Sequence, residues 1–130
     1  MRDINELIQA AQMVRERAYA PYSKFHVGAS VVTADGTIYT GCNVENASYG
    51  LTVCAERNAV AAAIAAGEQK FELLVVASEK GVPPCGACRQ VILELCGNIP
   101  VILVDREGNT TRTTSRDLLP GAFNQEMLDE

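Results

Sequence analysis

Ile4, Leu7, Ile8, Ala11, Val14 and Ala18 recur at three- and four-residue intervals, the spacing of a helix with one apolar face. Asp3 followed by Glu6 resembles a capping box with Asp in place of Ser or Thr. A helix over 3–19 is predicted, with Pro21 as its stop because a proline pushes the residue before it out of helical backbone. Val27, Ala29, Val31 and Val32, then Thr37 to Cys42, read as two strands joined by Ala34-Asp35-Gly36, a segment flexible enough for a tight antiparallel hairpin. Residues 43–51 keep no period and are rich in turn formers, so an ordered loop with polar side chains is expected there.

From Cys54 to Ala66 apolar residues go almost all round the helix, which predicts burial in the core or at a subunit contact, with Gly67 as the stop. Leu73 to Ala77 and Val101 to Val104 are unbroken apolar runs, the pattern of central strands covered on both faces. A helix over Gly86 to Cys96 lies between them, so strand, helix, strand predicts a right-handed crossover and a parallel pair. A polar strand near Thr111 to Thr113 follows. Ser115 is expected to cap a last helical turn through Leu119, and the tail from Asn124 to be loosely held. Together these elements predict an α/β fold, a three-layer α/β/α sandwich around a five-stranded mixed sheet.

The length of 130 residues predicts a single domain, residues 1–130, without linkers or repeats. An apolar fraction of 48% is that of an ordinary globular protein. No stretch approaches the roughly 20 apolar residues of a membrane span, and the N-terminus lacks a signal-peptide pattern, so a cytoplasmic location is expected. Five cysteines, two of them in a C-x-x-C pair, then suggest metal binding before a structural disulfide. A net charge of −5 without a basic cluster speaks against nucleic acid and for a small, weakly charged partner.

The chemistry gathers at Cys54-Ala55-Glu56-Arg57 and Pro84-Cys85-Gly86-Ala87-Cys88. Both motifs fall at predicted helix starts, where free N–H groups and the helix dipole favour thiolates. Cys85 and Cys88, one helical turn apart, can close on one zinc ion with Cys54 as the third ligand. Candidates for a fourth ligand are His26, Cys42 and Cys96. Cys96 lies about 12 Å along the helix axis from Cys88, at about 1.5 Å per residue, too far to share an ion. Cys42 is more simply a small buried hydrophobe and His26 a hydrogen-bonded structural histidine. Three protein ligands leave the fourth position open to water, the arrangement of catalytic zinc. Glu56 is placed to take a proton from that water and deliver it to substrate, whereas alone it would be a plain helix-start acid. Arg57, hydrogen-bonded to ligand sulfur, would offset the negative charge of three thiolates; Arg89 is the weaker candidate for the same task.

Cys-x-Glu followed by Pro-Cys-x-x-Cys is the three-cysteine pattern of zinc deaminases. With Phe25-His26-Val27-Gly28-Ala29, Asn43 to Gly50, Pro84 to Gln90, Leu118-Leu119-Pro120 and Phe123, the chain resembles the small homotetrameric cytidine deaminases over nearly its whole length. That resemblance implies one zinc ion per subunit and hydrolysis of cytidine or deoxycytidine to the uracil nucleoside with release of ammonia. It implies that zinc-bound hydroxide attacks C4 while Glu56 shuttles protons. Asn43 and Glu45 would hold the sugar hydroxyls, Phe25 would pack on the nucleoside, and the Ala55 backbone would read the pyrimidine edge. Phe123 would enter a neighbouring subunit's site, and Tyr49 would lie near a shared one. An amide and a carboxylate two residues apart suit neutral hydroxyls, while Glu45 would repel a phosphate. The segment Ser78 to Pro83 is shorter than in many such enzymes, which leaves tolerance of modified nucleosides open.

Alternatives share part of this pattern. A deaminase of another cytosine nucleoside, such as blasticidin, would keep the zinc motifs, and a nucleic-acid-editing deaminase would need a basic channel. A non-catalytic structural-zinc domain would need a closed fourth ligand position and have no use for Glu56.

Overall fold

The computed structural model describes residues 3–128. Helix α1 (Ile4–Arg15) is followed by β1 (Gly28–Thr33), β2 (Ile38–Cys42), α2 (Ala55–Ala65), β3 (Phe71–Ala77), α3 (Gly86–Cys96), β4 (Pro100–Val104) and β5 (Thr110–Thr114). The strands form one mixed sheet in the order β2-β1-β3-β4-β5. β3 and β4 run parallel and the other pairs antiparallel. The expected hairpin and the expected parallel pair are both present.

Side chains alternate across the central strands, and each face has its own cover. Leu73, Val75, Ile102 and Val104 pack with Leu7 and Ala11 of α1. Leu74, Val76, Val101 and Leu103 pack on the other face with Ala59, Val60 and Ala63 of α2 and Ile92 of α3. The three layers follow from this division, because strands apolar on both faces need cover on both. Two glycines set how closely the layers approach. A Cβ at Gly28 would lie 2.1 Å from the Ala11 carbonyl oxygen, and one at Gly41 would lie 2.4 Å from the Ala59 nitrogen. Asn58 secures the second contact by donating to the Cys42 carbonyl at 2.8 Å.

Two local expectations need correction, and one is narrowed. Helix α1 ends at Arg15, not near 19, and its last N–H groups make tighter bonds, Arg17 to Val14 and Ala18 to Arg15. Tyr19 is drawn away to bond the Asn43 carbonyl at 2.9 Å and accept from the Glu45 N–H at 2.8 Å, so strand-like pairing ends the helix before Pro21 is reached. The expectation for helix α2 is narrowed: the core covers one face, whereas Ala61, Ala62, Ile64 and Ala65 are exposed within the chain. Ser115 caps no helix. Its buried hydroxyl donates to the Gly97 carbonyl and accepts from Ile99 N–H, while Thr114 caps the single turn by accepting from Asp117 N–H at 3.1 Å.

Candidate active site

Cys54 is the N-cap of α2 and Cys85 the N-cap of α3, both in extended backbone that turns into the helix. The Cys88 N–H donates to the Cys85 sulfur at 3.4 Å, so α3 contributes a backbone donor to its own cap. The Sγ atoms of Cys54, Cys85 and Cys88 all lie within 4.8 Å of one another, with 3.8 Å between Cys54 and Cys85 and 3.3 Å between Cys85 and Cys88. Tetrahedral zinc with bonds of about 2.3 Å holds its sulfurs roughly 3.8 Å apart, so the cluster fits one zinc ion per chain. All five cysteines are free thiols. Among the described residues no fourth His, Cys, Asp or Glu joins the cluster. His26 is exposed, Cys42 is half-buried at the end of β2, and the Cys96 thiol is pushed up to about 12 by burial against the core.

Electrostatics at the cluster follow from crowded sulfurs. A hydrogen bond from Cys88, then one from Arg57, brings the Cys54 thiol down to about 5, and the same Cys54 contact pushes the Cys88 thiol up. Binding of a divalent cation by these sulfurs would release the Cys88 proton, since metal-bound sulfur is thiolate. Arg57 sits where the charge argument expected it, with a terminal nitrogen 3.7 Å from Cys54 Sγ and 3.5 Å from the Thr52 carbonyl. Its Nε is buried without a hydrogen-bond partner. Arg89 does something else: it donates to the Pro84 carbonyl and to the Leu118 carbonyl, both at 2.8 Å, and so ties the residue before Cys85 to the C-terminal segment.

Beside the sulfurs lies a pocket of about 370 Å³. Cys54, Ala55, Glu56 and Cys85 line its floor, and Phe25, Asn43 and Glu45 line it with Ser23, Val27, Thr52, Val76, Val82 and Pro83. Glu56 is 4% exposed, and burial above all, with some repulsion from Cys54, raises its carboxyl to about 7. A carboxyl group near that value can both accept and return a proton at neutral pH. Asn43 is buried and already engaged, its Oδ1 accepting from Val27 N–H at 2.9 Å and its Nδ2 donating to the Phe25 carbonyl at 2.7 Å. One amide hydrogen and one lone pair remain for a ligand. Glu45 accepts from the Tyr22 and Ser23 N–H groups at 3.0 and 3.1 Å and from the Ser23 hydroxyl.

Two expected residues stand apart from this pocket within the chain. Tyr49 is 74% exposed and meets Tyr22 edge to face at 6.2 Å between ring centres. Phe123 is half-exposed beside the C-terminal end of α3, where its carbonyl accepts from Gln90 Nε2 at 2.7 Å. Sequence reasoning missed Ser23, although a hydroxyl two residues before Phe25 in a Pro-led turn was the available signal. It also missed Arg15, which donates to the His26 carbonyl at 2.9 Å and pairs with Glu79 at 3.2 Å, thereby joining the segment before β1 to the one after β3.

The chain as a whole is similar to known proteins. Residues 1–104 match the sequence profile of the cytidine and deoxycytidylate deaminase zinc-binding region. A cytidine deaminase of Sporosarcina psychrophila is 52% identical over 129 residues, covering 97% of this chain and 95% of that protein. A probable cytidine deaminase of Dictyostelium discoideum is 44% identical over 97% of this chain and 87% of its own length. The crystal structure of cytidine deaminase from Burkholderia pseudomallei superposes with a TM-score of 0.91 at 50% identity, covering 94% of this chain and all of that one. That of the Mycobacterium tuberculosis cytidine deaminase gives 0.82 at 40% identity, with 95% and 99% covered.

Proposed function

Because the chain belongs to the family of cytidine and deoxycytidylate deaminases defined by their zinc-binding region, we propose that it is a cytidine deaminase, hydrolysing cytidine and deoxycytidine to the corresponding uracil nucleosides and ammonia. The observation that carries this reading is a buried carboxyl group, Glu56, in one pocket with the three-sulfur cluster and with Asn43 and Glu45.

Cys54, Cys85 and Cys88 would hold the zinc ion, which would supply a Lewis acid able to activate water near neutral pH. Glu56 would take a proton from the attacking water and deliver it to the ring nitrogen next to the reacting carbon as the C–O bond forms, then take the second proton from that oxygen and pass it to the amino group, which leaves as ammonia as the C–N bond breaks and the carbonyl forms. Its raised pKa supports that two-way traffic, since a fully ionised carboxylate would hold a proton poorly. The Ala55 backbone reads the pyrimidine edge from the first turn of α2. Phe25 packs on the nucleoside, and the free amide hydrogen of Asn43 and the remaining lone pair of Glu45 take sugar hydroxyls. Arg57 offsets the charge of the sulfurs, a role supported by its 3.7 Å approach to Cys54.

The whole chain acts as one domain in this reading, and four copies assemble into a homotetramer in the cytoplasm. Support for assembly comes from the exposed apolar residues Ala61, Ala62, Ile64 and Ala65 on α2, and from Tyr49 and Phe123, aromatic residues exposed away from the pocket of their own chain. Both aromatics are assigned to sites shared between subunits. None of the described helices is long and apolar enough to cross a membrane.

The direct test is the fall in ultraviolet absorbance when cytidine is added to the zinc-loaded protein. Turnover that stops on chelation and returns with zinc is expected. No absorbance change with cytidine or deoxycytidine, alongside turnover of blasticidin, would shift the reading to the other nucleoside.

A further inference from the structure

A carboxylate offers about four acceptor sites, and three of those on Glu45 are filled by its own chain. Oε1 accepts from two backbone N–H groups, of Tyr22 and Ser23, and Oε2 accepts from the Ser23 hydroxyl. One site is left, on Oε2, and Glu45 lines the pocket together with Ser23 and Phe25. The Ser23 hydroxyl also accepts from Phe25 N–H at 3.0 Å, so one oxygen ties the carboxylate to the backbone of the aromatic wall. The turn that carries Ser23 is itself unusual. Lys24 has φ +61°, the left-handed backbone that non-glycine residues rarely adopt, and among the described residues no other non-glycine does so. A Lys24 N–H bond to the Ala20 carbonyl at 3.1 Å closes the turn, and Glu45 bridges it from outside. Strained backbone persists where surrounding bonds over-determine it, and such strain collects at sites that must be preorganised.

We propose that Ser23 is a positioning residue for the nucleoside sugar: its hydroxyl fixes the Glu45 carboxylate in one rotation, so that a single lone pair is aimed at a single sugar hydroxyl. The same hydroxyl is the largest influence holding the Glu45 carboxyl below the usual carboxylate range. Without it, Oε2 has two open sites and water competes for both, while only the two N–H bonds to Oε1 restrain the rotation of the carboxylate. The loss falls on binding and not on the proton chemistry, because the hydrogen bonds of the Ser23 and Glu45 side chains go to each other and to the Tyr22, Ser23 and Phe25 backbone, not to Glu56 or the three cysteines. The proposal rests on the deaminase reading and on Glu45 as the sugar acceptor.

Steady-state kinetics of the zinc-loaded wild type, Ser23→Ala and Ser23→Thr on cytidine and on 2′,3′-dideoxycytidine, which lacks both ring hydroxyls, provide the test. On cytidine, Ser23→Ala is expected to raise KM about 10-fold or more with kcat changed less than about twofold, as befits a hydrogen bond to a charged group. Ser23→Thr, which keeps the hydroxyl, recovers most of the loss. On the dideoxy substrate, wild type and Ser23→Ala become equal, since there is no hydroxyl for Glu45 to receive. A Ser23→Ala loss of the same size on both substrates, or an unchanged KM on cytidine, overturns the proposal while leaving the deaminase reading intact. No turnover of cytidine by the wild type overturns both. Should Ser23→Ala fail to fold, Ser23→Cys, close in shape with only a weak S–H donor, carries the same expectations.

Discussion

Gly41 is where the sheet meets the start of the zinc helix, and adding one methyl group there perturbs the site without touching a ligand. The Cβ of Gly41→Ala would lie 2.4 Å from the Ala59 nitrogen and 2.7 Å from the Ala55 carbonyl, whereas ordinary contact begins near 3.4 Å. Both atoms belong to the backbone of the first turns of α2, which cannot yield by rotating a side chain. Helix α2 must therefore retreat by about 1 Å. Overpacking of that kind costs about 1–3 kcal/mol of stability. The retreating segment follows Cys54 directly and contains Glu56, and a misplacement of about 1 Å at reacting groups can cost about 100-fold in rate. The assay is threefold: urea midpoint, zinc retained after dialysis, and kcat on cytidine. Gly28→Ala is the matched comparison. Its Cβ would lie 2.1 Å from the Ala11 carbonyl oxygen and 2.6 Å from the Arg15 nitrogen, so it displaces α1, which carries no ligand. A similar stability loss with zinc still stoichiometric is expected there. Gly50→Ala, which meets nothing within 4 Å, should behave as wild type. Normal zinc retention and kcat in Gly41→Ala would refute the claim that close packing at Gly41 sets the position of the catalytic helix.

Other expectations follow from the charges around the sulfurs. Arg57→Gln removes the guanidinium 3.7 Å from Cys54 and should weaken zinc binding about 10- to 100-fold in chelator competition; unchanged affinity would remove the charge-balance argument. Glu56 has a carboxyl raised from the ordinary 4.5 to about 7, so the folded chain holds its proton more tightly than the unfolded one does. Its contribution to stability is therefore fully present below about 4.5 and is lost as pH rises through about 7. In chelator-treated protein, Glu56→Gln should gain on wild type across that window, by about 3 kcal/mol at most. Parallel stability curves for the two proteins would show that Glu56 carries no burial penalty.

How far these features could be read from the chain depends on how local their causes are. The sulfur cluster was legible because Cys85 and Cys88 are one turn apart and both motifs begin helices, a matter of spacing and dipole. The central strands were legible because apolar runs at Leu73 to Ala77 and Val101 to Val104 need cover on both faces. The end of α1 was not, since its apolar period continues to Ala18 and only the distant Asn43–Glu45 segment pulls Tyr19 out of the helix. The bonds of Arg89 were not legible either, since of its two carbonyl acceptors one, on Leu118, lies 29 residues away. Likewise the Ser23 hydroxyl looks like ordinary turn chemistry until Glu45, 22 residues on, closes over it.

The central claim is that one carboxyl group beside three sulfurs moves the protons of a hydrolytic deamination. Glu56→Gln keeps the size of the side chain and removes its capacity to carry a proton. Zinc content and cytidine turnover, measured on the same sample, should show one zinc ion per chain and a rate reduced by about 100- to 10,000-fold. A Glu56→Gln protein that binds zinc in full and still deaminates cytidine at the wild-type rate would contradict the account.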